Sequence, residues 1–305
     1  MRQNYQILEQ FPSRREEEAL GFSVFARKNY WLLHLSENQL LPVAVYDENN
    51  SLLSFWCFYR NSRKLITPFN APFFTPYFSE KGNMNSLCKK VFNYCRAQYD
   101  TSMIVTLNSD SISELNLDLT PSLKVKNVAL ASRMIVSDKG FLNQIQQVRK
   151  KRKLKSLMSA DDFEVLKVDI ENWAEIYKEN LKWRQEKDHL NFMSGDKMLK
   201  SKMQFPDEYQ AFQLNKNGIL VGTVFFLKVN EKIIYVYSLI INPLFDVAEP
   251  SLLLWNAVYE WAQKHDISII DMGTSMNPIG GINKNLARYK TFIGGEYYRK
   301  YTLEW

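Results

Sequence analysis

The chain has 305 residues, about twice the length of a typical single domain, and this length predicts two domains. Hydrophobic residues make up 46% of it, enough for a full core, and no run approaches the roughly 20 apolar residues that span a bilayer. The net charge of +6 permits an anionic partner without requiring one. No apolar stretch of a signal peptide follows the first residues, so we expect a soluble, cytoplasmic protein.

Cysteine and histidine are too few and too scattered for a disulfide framework or a metal centre. The three cysteines form no CxxC pair, and the three histidines share no spacing typical of metal ligands. We therefore expect no bound metal, and cysteines that act as small buried apolar residues in a reducing compartment. Neither a Ser-His-Asp, a Cys-His nor a P-loop pattern is present, so the sequence predicts no covalent catalysis.

The first half begins its recognisable structure with a β-hairpin, because two apolar runs flank the polar turn Asp47-Glu48-Asn49-Asn50. A third strand, a loop with several prolines, a helix and two more strands follow, with a short helical piece between the last two. The predicted strands cover residues 41–46, 52–59, 64–67, 103–107 and 123–128, and the predicted helix covers 84–99.

A domain boundary is predicted within residues 132–140. It divides the chain into an N-terminal domain, 1–135, and a C-terminal domain, 136–305. The two halves share little sequence, but the order of their predicted elements is similar.

The second half predicts helices and strands in the order β-α-α-β-β-β-α-β-α-β, preceded by a helix with a basic run. Asn217-Gly218 is a strong hairpin signal, and Gly273 is expected to end a short buried strand. Helices are predicted at residues 140–158, 171–183, 195–203, 252–264 and 283–292, and strands at 163–168, 209–214, 219–229, 232–241, 267–271 and 297–304.

The helix at 252–264 is a crossover between the strands at 232–241 and 267–271, so these two strands should be parallel. The preceding strands are joined by tight turns and should be antiparallel. The sequence therefore predicts a mixed sheet in which one parallel pair lies among antiparallel strands.

This order resembles the GNAT acyltransferase fold, and two such units in tandem resemble the FemAB-like aminoacyltransferases and related double-GNAT proteins. Three local features carry the resemblance: the basic helix Gln147-Val148-Arg149-Lys150-Lys151-Arg152-Lys153, the helix end Leu181-Lys182-Trp183-Arg184, and Asp271-Met272-Gly273 followed by Arg288-Tyr289-Lys290-Thr291-Phe292-Ile293-Gly294-Gly295.

The resemblance implies an α/β fold of two tandem GNAT-like domains, each a mostly antiparallel mixed sheet with a parallel central pair flanked by helices. It also implies transfer of an acyl or aminoacyl group to an amine acceptor, a small molecule or an amine of a glycan, peptide or cell-envelope precursor. FemAB proteins proper carry a long helical arm, and this chain has no insertion long enough for one, which weakens the case for an aminoacyl-tRNA donor.

Acyl-coenzyme A is disfavoured as the donor. GNAT enzymes hold its pyrophosphate on backbone N–H groups of a glycine-rich loop at a helix N-terminus. The corresponding residues 242–251 contain no glycine, Asp246 and Glu249 would repel phosphate, and Pro250 lacks an N–H donor. Aminoacyl-tRNA therefore stays open as an alternative, and no cofactor is predicted with certainty.

The resemblance implies that Lys290 stabilises charge on the donor; a solvated helix lysine is about equally expected. Asp271 ends a strand where α/β proteins commonly face a ligand, or it caps the following turn. Gly273 would supply a positive φ or a close backbone approach beside it.

The acceptor groove of the resembled fold would be lined by Arg184, Glu186 and His189, of which Arg184 could bind a carboxylate or phosphate in a bidentate manner. Each is also a common surface residue. Tyr235 and Tyr237 alternate along one strand and so share a face; Tyr237 could protonate a leaving group, or both could simply pack in the core.

The basic run suggests a polyanion site formed by Arg149, Lys150, Lys151 and Arg152, with tRNA as one partner. The alternative is a solvated charged face on a helix held by apolar residues. Besides a transferase, the sequence therefore leaves two functions open: a non-catalytic binding module that keeps the double fold, and a tRNA-binding protein.

Overall fold

A computed structural model describes residues 5–62, 64–68, 71, 76–79, 83–108, 124–187, 193–245, 249–277 and 280–305. The chain divides into two compact units, one formed by Met1–Ala129 with Arg299–Trp305 and the other by Leu130–Tyr298. The predicted mixed α/β architecture is confirmed. None of the helices in the described ranges is long and apolar enough to cross a membrane. The short helical piece predicted after residue 108 lies outside the described residues.

The described part of the first unit has five short elements ahead of the predicted hairpin, two of them the 3-10 helices Val24–Ala26 and Glu37–Gln39, and a helix that follows the predicted bounds. Its elements are β1 (Gln6–Leu8), α1 (Arg14–Ala19), α2 (Lys28–Leu32), β2 (Leu40–Tyr46), β3 (Leu52–Asn61), β4 (Lys64–Thr67), β5 (Tyr77–Phe78), α3 (Met84–Tyr99) and β6 (Ser102–Asn108).

The second unit begins within a long strand that the first unit also shares. The elements from that point are β7 (Lys124–Ile135), α4 (Phe141–Gln144), α5 (Val148–Met158), β8 (Phe163–Lys167), α6 (Ile170–Glu186), α7 (Gly195–Gln204), β9 (Tyr209–Lys216), β10 (Ile219–Lys228), β11 (Ile233–Ile241), α8 (Ser251–Lys264), β12 (Ile269–Thr274), α9 (Lys284–Phe292) and β13 (Glu296–Glu304).

Each unit has one parallel strand pair. In the first unit the order is β1-β2-β3-β4-β6, with the end of β13 pairing antiparallel to β6, and only β4 and β6 are parallel among these neighbours. In the second unit the order is β7-β12-β11-β10-β9-β8, and only β11 and β12 are parallel. Helix α8 connects that pair, so the predicted crossover is confirmed.

The two parallel strands of the second unit are register partners over three residues only, from Ile233↔Ile269 to Tyr235↔Asp271. Beyond this point β11 continues to Ile241 and β12 to Thr274 without further pairing to each other. On its other side β11 has a bulge, where its pairing with β10 shifts between Phe225 and Phe226. A bulge bends the strand that carries it, so β11 turns away from β12 beyond the last register pair.

Gly273 does not end the strand, contrary to the sequence prediction. Strand β12 runs through it to Thr274, and the pairing with β7 shifts between Asp271 and Thr274. The physical reason is the φ of Gly273, which is 73° and places one extra residue into the strand as a local irregularity.

The core of the second unit lies between the sheet and helix α8, whose residues Leu252, Leu254, Val258 and Ala262 are fully buried. Helix α5 packs against α8 through Leu154 and Leu157, which leaves its basic residues on other faces. The sheet's other face is covered by α6, whose Trp173 and Tyr177 rings contact the β10 residue Phe225 edge-on.

The end of α9 depends on Gly294, which has φ 98° in the left-handed region that terminates many helices. A Cβ atom there would lie 2.7 Å from the backbone oxygen of Gln144 in α4. Gly218, in the β9–β10 hairpin turn, also has a positive φ of 77°, but a Cβ there would meet no atom within 4 Å.

We expect Gly294→Ala to lower the free energy of unfolding by about 2–5 kcal/mol, the sum of a left-handed backbone cost and of overpacking against Gln144. Gly218→Ala should cost only the backbone part, about 1–2 kcal/mol. Urea unfolding followed by tryptophan fluorescence measures both. Equal losses for the two variants would show that α4 does not constrain the end of α9.

Candidate functional site

Asp271 is 4% exposed at the end of the β11–β12 pairing, and both of its carboxylate oxygens are engaged. Oδ1 accepts a 2.7 Å hydrogen bond from the backbone N–H of Gly273, and Oδ2 accepts one from the hydroxyl of Tyr298. The contact with the Gly273 N–H is the turn cap that the sequence analysis gave as one of two alternatives for Asp271. The carboxylate is therefore suited to hold the strand end in shape.

Lys290 lies on α9 and is also 4% exposed, so the alternative of a solvated helix lysine is wrong. Its Nζ donates hydrogen bonds to the carbonyl oxygens of Gly273, at 2.9 Å, and of Thr274, at 3.0 Å. Since Asp271 fixes the N–H of Gly273 and Lys290 binds its carbonyl, one turn connects the two side chains. The ammonium is thereby held where β12 ends.

Tyr235 and Tyr237 are both buried, and their rings meet edge-on with centroids 5.0 Å apart. Burial raises the pKa of Tyr235, and the neighbouring Asp271 raises it further, so this phenol keeps its proton at neutral pH. A Cβ at Gly273 would come within 3.4 Å of the Tyr235 hydroxyl, so the glycine combines a positive φ with a close approach.

Tyr237 extends the aromatic row to β9. Its ring stacks on that of Tyr209 with centroids 6.0 Å apart, and the two hydroxyls lie 3.5 Å from each other. Burial raises the pKa of Tyr209 to about 12. The Tyr209 phenol therefore keeps its proton at neutral pH.

Arg184, in the last turn of α6, reaches the same strand. Its Nη1 donates to the Ser238 hydroxyl at 3.1 Å. Burial lowers the pKa of the guanidinium, opposed by the nearby phenols of Tyr177 and Tyr235. Glu186 is exposed on the same helix, and His189 lies outside the described residues. The structure therefore brings Arg184 close to Tyr235, which is itself a neighbour of Asp271, but leaves Glu186 on the surface.

Two polar residues of this site were missed by the sequence analysis. Asn180 is completely buried, donating to the Thr223 hydroxyl at 2.8 Å and accepting from Ser238 at 3.0 Å. The sequence could have revealed Asn180, because a polar asparagine lies on the apolar face of α6 between Tyr177 and Arg184. Tyr298, which holds Asp271, had no local signal, since its partner is 27 residues away.

The basic helix α5 forms a second feature of the same unit. A hollow of about 210 Å³ is lined by Gln147, Arg149, Lys150, Lys153 and Glu249. None of the α5 cations forms an ion pair with another residue in the described part of the chain. Lys151 is half-buried and Arg152 is exposed. The hollow therefore places three unpaired cations beside the start of helix α8.

The start of α8 has few free backbone donors. The N–H groups of Leu252 and Leu253 donate to the carbonyls of Glu249 and Pro250, each at 3.0 Å, and Pro250 has no N–H. The Ser251 hydroxyl lies 2.7 Å from that of Tyr289, over whose ring Lys150 is placed. Side chains of α5, not amides of α8, are thus the available anion-binding groups here.

The chain shares its fold with several solved structures. FemX superposes with a TM-score of 0.69 at 9% identity, covering 97% of this chain and 96% of that one. L-PGS from Bacillus licheniformis gives 0.61 at 12% identity, covering 98% and 93%. A tandem GNAT protein from the clavulanic acid biosynthesis pathway gives 0.52 at 8% identity, covering 99% and 98%. The FemAB-like double-GNAT fold implied by the sequence is therefore confirmed.

No protein-family model and no curated protein matches the chain by sequence. The structural likeness, at 8–12% identity in these three cases, concerns the fold alone.

We expect Asp271→Ala and Tyr298→Phe to be strongly coupled in stability. Asp271→Ala leaves the Gly273 N–H and the Tyr298 hydroxyl buried without an acceptor, at about 1–3 kcal/mol for each group. In that background Tyr298→Phe should cost little, giving a coupling of about 1.5–3 kcal/mol, as for a hydrogen bond to a charged group. A double-mutant cycle from urea unfolding measures it. Additive costs would contradict the hydrogen bond between Tyr298 and Asp271.

Proposed function

We propose that the second unit transfers an acyl or aminoacyl group to an amine acceptor at the point where β11 and β12 part. The observation that carries this proposal is the buried ammonium of Lys290, fixed on the last carbonyls of β12 next to the end of the parallel register. The shared fold with FemX, L-PGS and the tandem GNAT protein supports the class of reaction.

In this reaction a neutral amine attacks the donor carbonyl, a C–N bond forms, the bond to the carrier breaks, and the carrier leaves with a proton. The Lys290 ammonium would stabilise the negative charge that develops on the carbonyl oxygen or on the leaving oxygen. The Tyr237 phenol is the proposed proton donor to the leaving group, and the proton that the attacking amine loses is returned to this phenol. Asp271 has both oxygens occupied and is proposed to position Gly273 and Lys290, not to act as a base.

The acceptor is proposed to carry an anionic group near its amine. Arg184 presents a half-buried guanidinium beside Ser238, and Tyr235 lies close to it. A planar guanidinium favours a carboxylate or phosphate oxygen pair. Peptides and glycan or cell-envelope precursors with an amine and an acidic group fit this description, with Gly273 and Glu186 as further candidates for contact.

The donor is proposed to carry phosphates that α5 binds. Coenzyme A is disfavoured because the first N–H groups of α8 donate to neighbouring carbonyls and Pro250 has none. The cations Arg149, Lys150 and Lys153 line a hollow at the same place, where they outnumber the single carboxylate of Glu249, and Lys151 and Arg152 extend the positive surface. Aminoacyl-tRNA supplies both the activated acyl group and the phosphates.

We expect Lys290→Ala to reduce transfer by about 10²–10³-fold, as for loss of one charge-stabilising group. The assay incubates the chain with tRNA charged with labelled amino acids and with amine-bearing peptides or glycans, and measures label on the acceptor. Lys284→Ala is the matched control, because Lys284 begins the same helix and is exposed. Lys290→Arg should retain part of the activity if the charge is what matters.

Unchanged transfer in Lys290→Ala would refute the role of this residue. A wild-type chain that transfers nothing from charged tRNA or acyl-coenzyme A, but is stabilised by one of them in thermal unfolding, would favour the non-catalytic binding module. One observation favours such a binding module: the N–H groups of Leu252 and Leu253 at the start of α8 already donate to neighbouring carbonyls and so do not offer a phosphate site.

Binding of tRNA should depend on salt through α5. Each phosphate contact contributes about 0.7–0.9 to the slope of log affinity against log salt. Replacing Arg149, Lys150 and Lys153 together by glutamine should therefore reduce the slope by about 2–3. A control with glutamine at Lys178, Lys197 and Lys200, all exposed on α6 and α7, removes the same charge and should change the slope much less. Equal effects would show that only net charge matters.

A further inference from the structure

The first unit contains a cavity of about 560 Å³, within the size range of small-molecule sites. Its lining comes from the segment after β1, the start of α2, the start of β2 and the end of β3. Twelve residues line it: Glu9, Gln10, Phe11, Pro12, Ser13, Arg14, Lys28, Glu37, Leu40, Leu41, Pro42 and Arg60.

The position of this cavity separates it from the C-terminal edge of the parallel strands. Arg60 and Asn61 end β3, and Asn61 is the register partner of Lys64, the first residue of β4. Leu40, the first residue of β2, pairs with Tyr59. The cavity therefore lies at the edge where β4 begins, opposite the edge at which strand ends of this fold face a ligand.

One side of the cavity is apolar. Pro42 of β2 is partly exposed here and Leu40 contributes a small accessible surface, while Leu41 is completely buried behind them. Phe11 adds an aromatic ring, which contacts the Phe55 ring with centroids 5.7 Å apart. An apolar body of a ligand would lose contact with water on this side.

At the polar end of the cavity, the Tyr99 hydroxyl lies between the Glu9 carboxylate and the Arg60 guanidinium. Glu9 accepts hydrogen bonds from Tyr94, at 2.8 Å, and from Tyr99, at 2.6 Å, both to Oε1. Arg60 donates to the same Tyr99 hydroxyl at 3.4 Å, and its guanidinium lies 4.9 Å from the centre of that ring.

Glu9 and Arg60 do not form an ion pair with each other or with any other described residue. Burial and the nearby Glu9 raise the pKa of Tyr94 to about 12, so its hydroxyl keeps donating to the carboxylate. The remaining oxygen of Glu9 and the fork of Arg60 are thus two opposite charges, separated and fixed in one cavity.

The other cations at the rim are already engaged. Lys28 pairs with Glu37 at 3.0 Å and lies 5.6 Å from the Phe11 ring centre, and Arg14 pairs with Glu18 at 2.8 Å. The Glu9 carboxylate and the Arg60 guanidinium are therefore the charged groups that a ligand could bind in this cavity.

We propose that this cavity binds a free α-amino acid with an apolar side chain, its carboxylate on Arg60, its ammonium on Glu9 and its side chain on Phe11, Leu40 and Pro42. A bidentate guanidinium–carboxylate contact suits the ring-stacked Arg60. The separated charges match a zwitterion, which neither a simple acid nor a simple amine would satisfy. This site goes beyond the transfer proposed for the second unit.

The test is calorimetric titration of the full chain with L-phenylalanine and L-leucine, against 3-phenylpropionate, which lacks the ammonium, and phenethylamine, which lacks the carboxylate. We expect at least one amino acid to bind with a dissociation constant below about 1 mM, and both truncated analogues of phenylalanine to bind about tenfold more weakly or worse. Transfer activity plays no part in this measurement.

Arg60→Gln should weaken amino-acid binding about tenfold and leave the weak binding of phenethylamine unchanged; Glu9→Gln should weaken it similarly and leave 3-phenylpropionate unchanged. Arg96→Gln, an exposed residue near the end of α3, is the control and should change nothing. All three positions are exposed, so the variants should fold. No binding of either amino acid, equal binding of 3-phenylpropionate and phenylalanine, or unchanged affinity in both cavity variants would overturn the proposal.

Discussion

The left-handed turn at Gly273 is the constraint on which the rest of the second unit's site depends. The Asp271 carboxylate holds its N–H, Tyr298 holds the carboxylate, and the carbonyls that result point at Lys290. The same turn breaks the register with β7, and the β11–β12 pairing stops at Asp271. Gly273 therefore determines where the ammonium is held, next to the point at which the bulged strand β11 stops pairing with β12.

The environment of Lys290 also explains why its charge remains available. Burying an ammonium costs free energy unless hydrogen bonds replace those of water. Here the carbonyl oxygens of Gly273 and Thr274 accept hydrogen bonds from Nζ, which offsets part of that cost. The Asp271 carboxylate is likewise hydrogen-bonded, by the backbone N–H of Gly273 and the hydroxyl of Tyr298.

Sequence periodicity predicted the fold but not the assembly of the site. Helix α8 and strand β11 were predicted to within one residue, because long apolar patterns leave little ambiguity, whereas β12 begins two residues later and ends three residues later than predicted. The short elements before residue 40 were missed, since five or six residues carry no measurable period. Asp271, Gly273 and Lys290 were identified through a resemblance. Tyr298, Glu9 and Arg60 could not be identified from the sequence, because the residues they contact are distant in the chain.

The first turn of helix α5 departs from the usual charge preference of a helix N-terminus. The N-terminus of a helix carries partial positive charge and favours acidic residues, yet the first turn of α5 has none and contains Arg149, Lys150 and Lys151. Leu154 and Leu157 alone would hold the helix on α8, so these cations are not needed for packing. A local preference violated without a structural gain is typical of a functional site. An anion bound in the adjacent hollow would interact favourably with the helix dipole and would reduce the repulsion among the α5 cations. For this reason we propose that the donor's phosphates bind there.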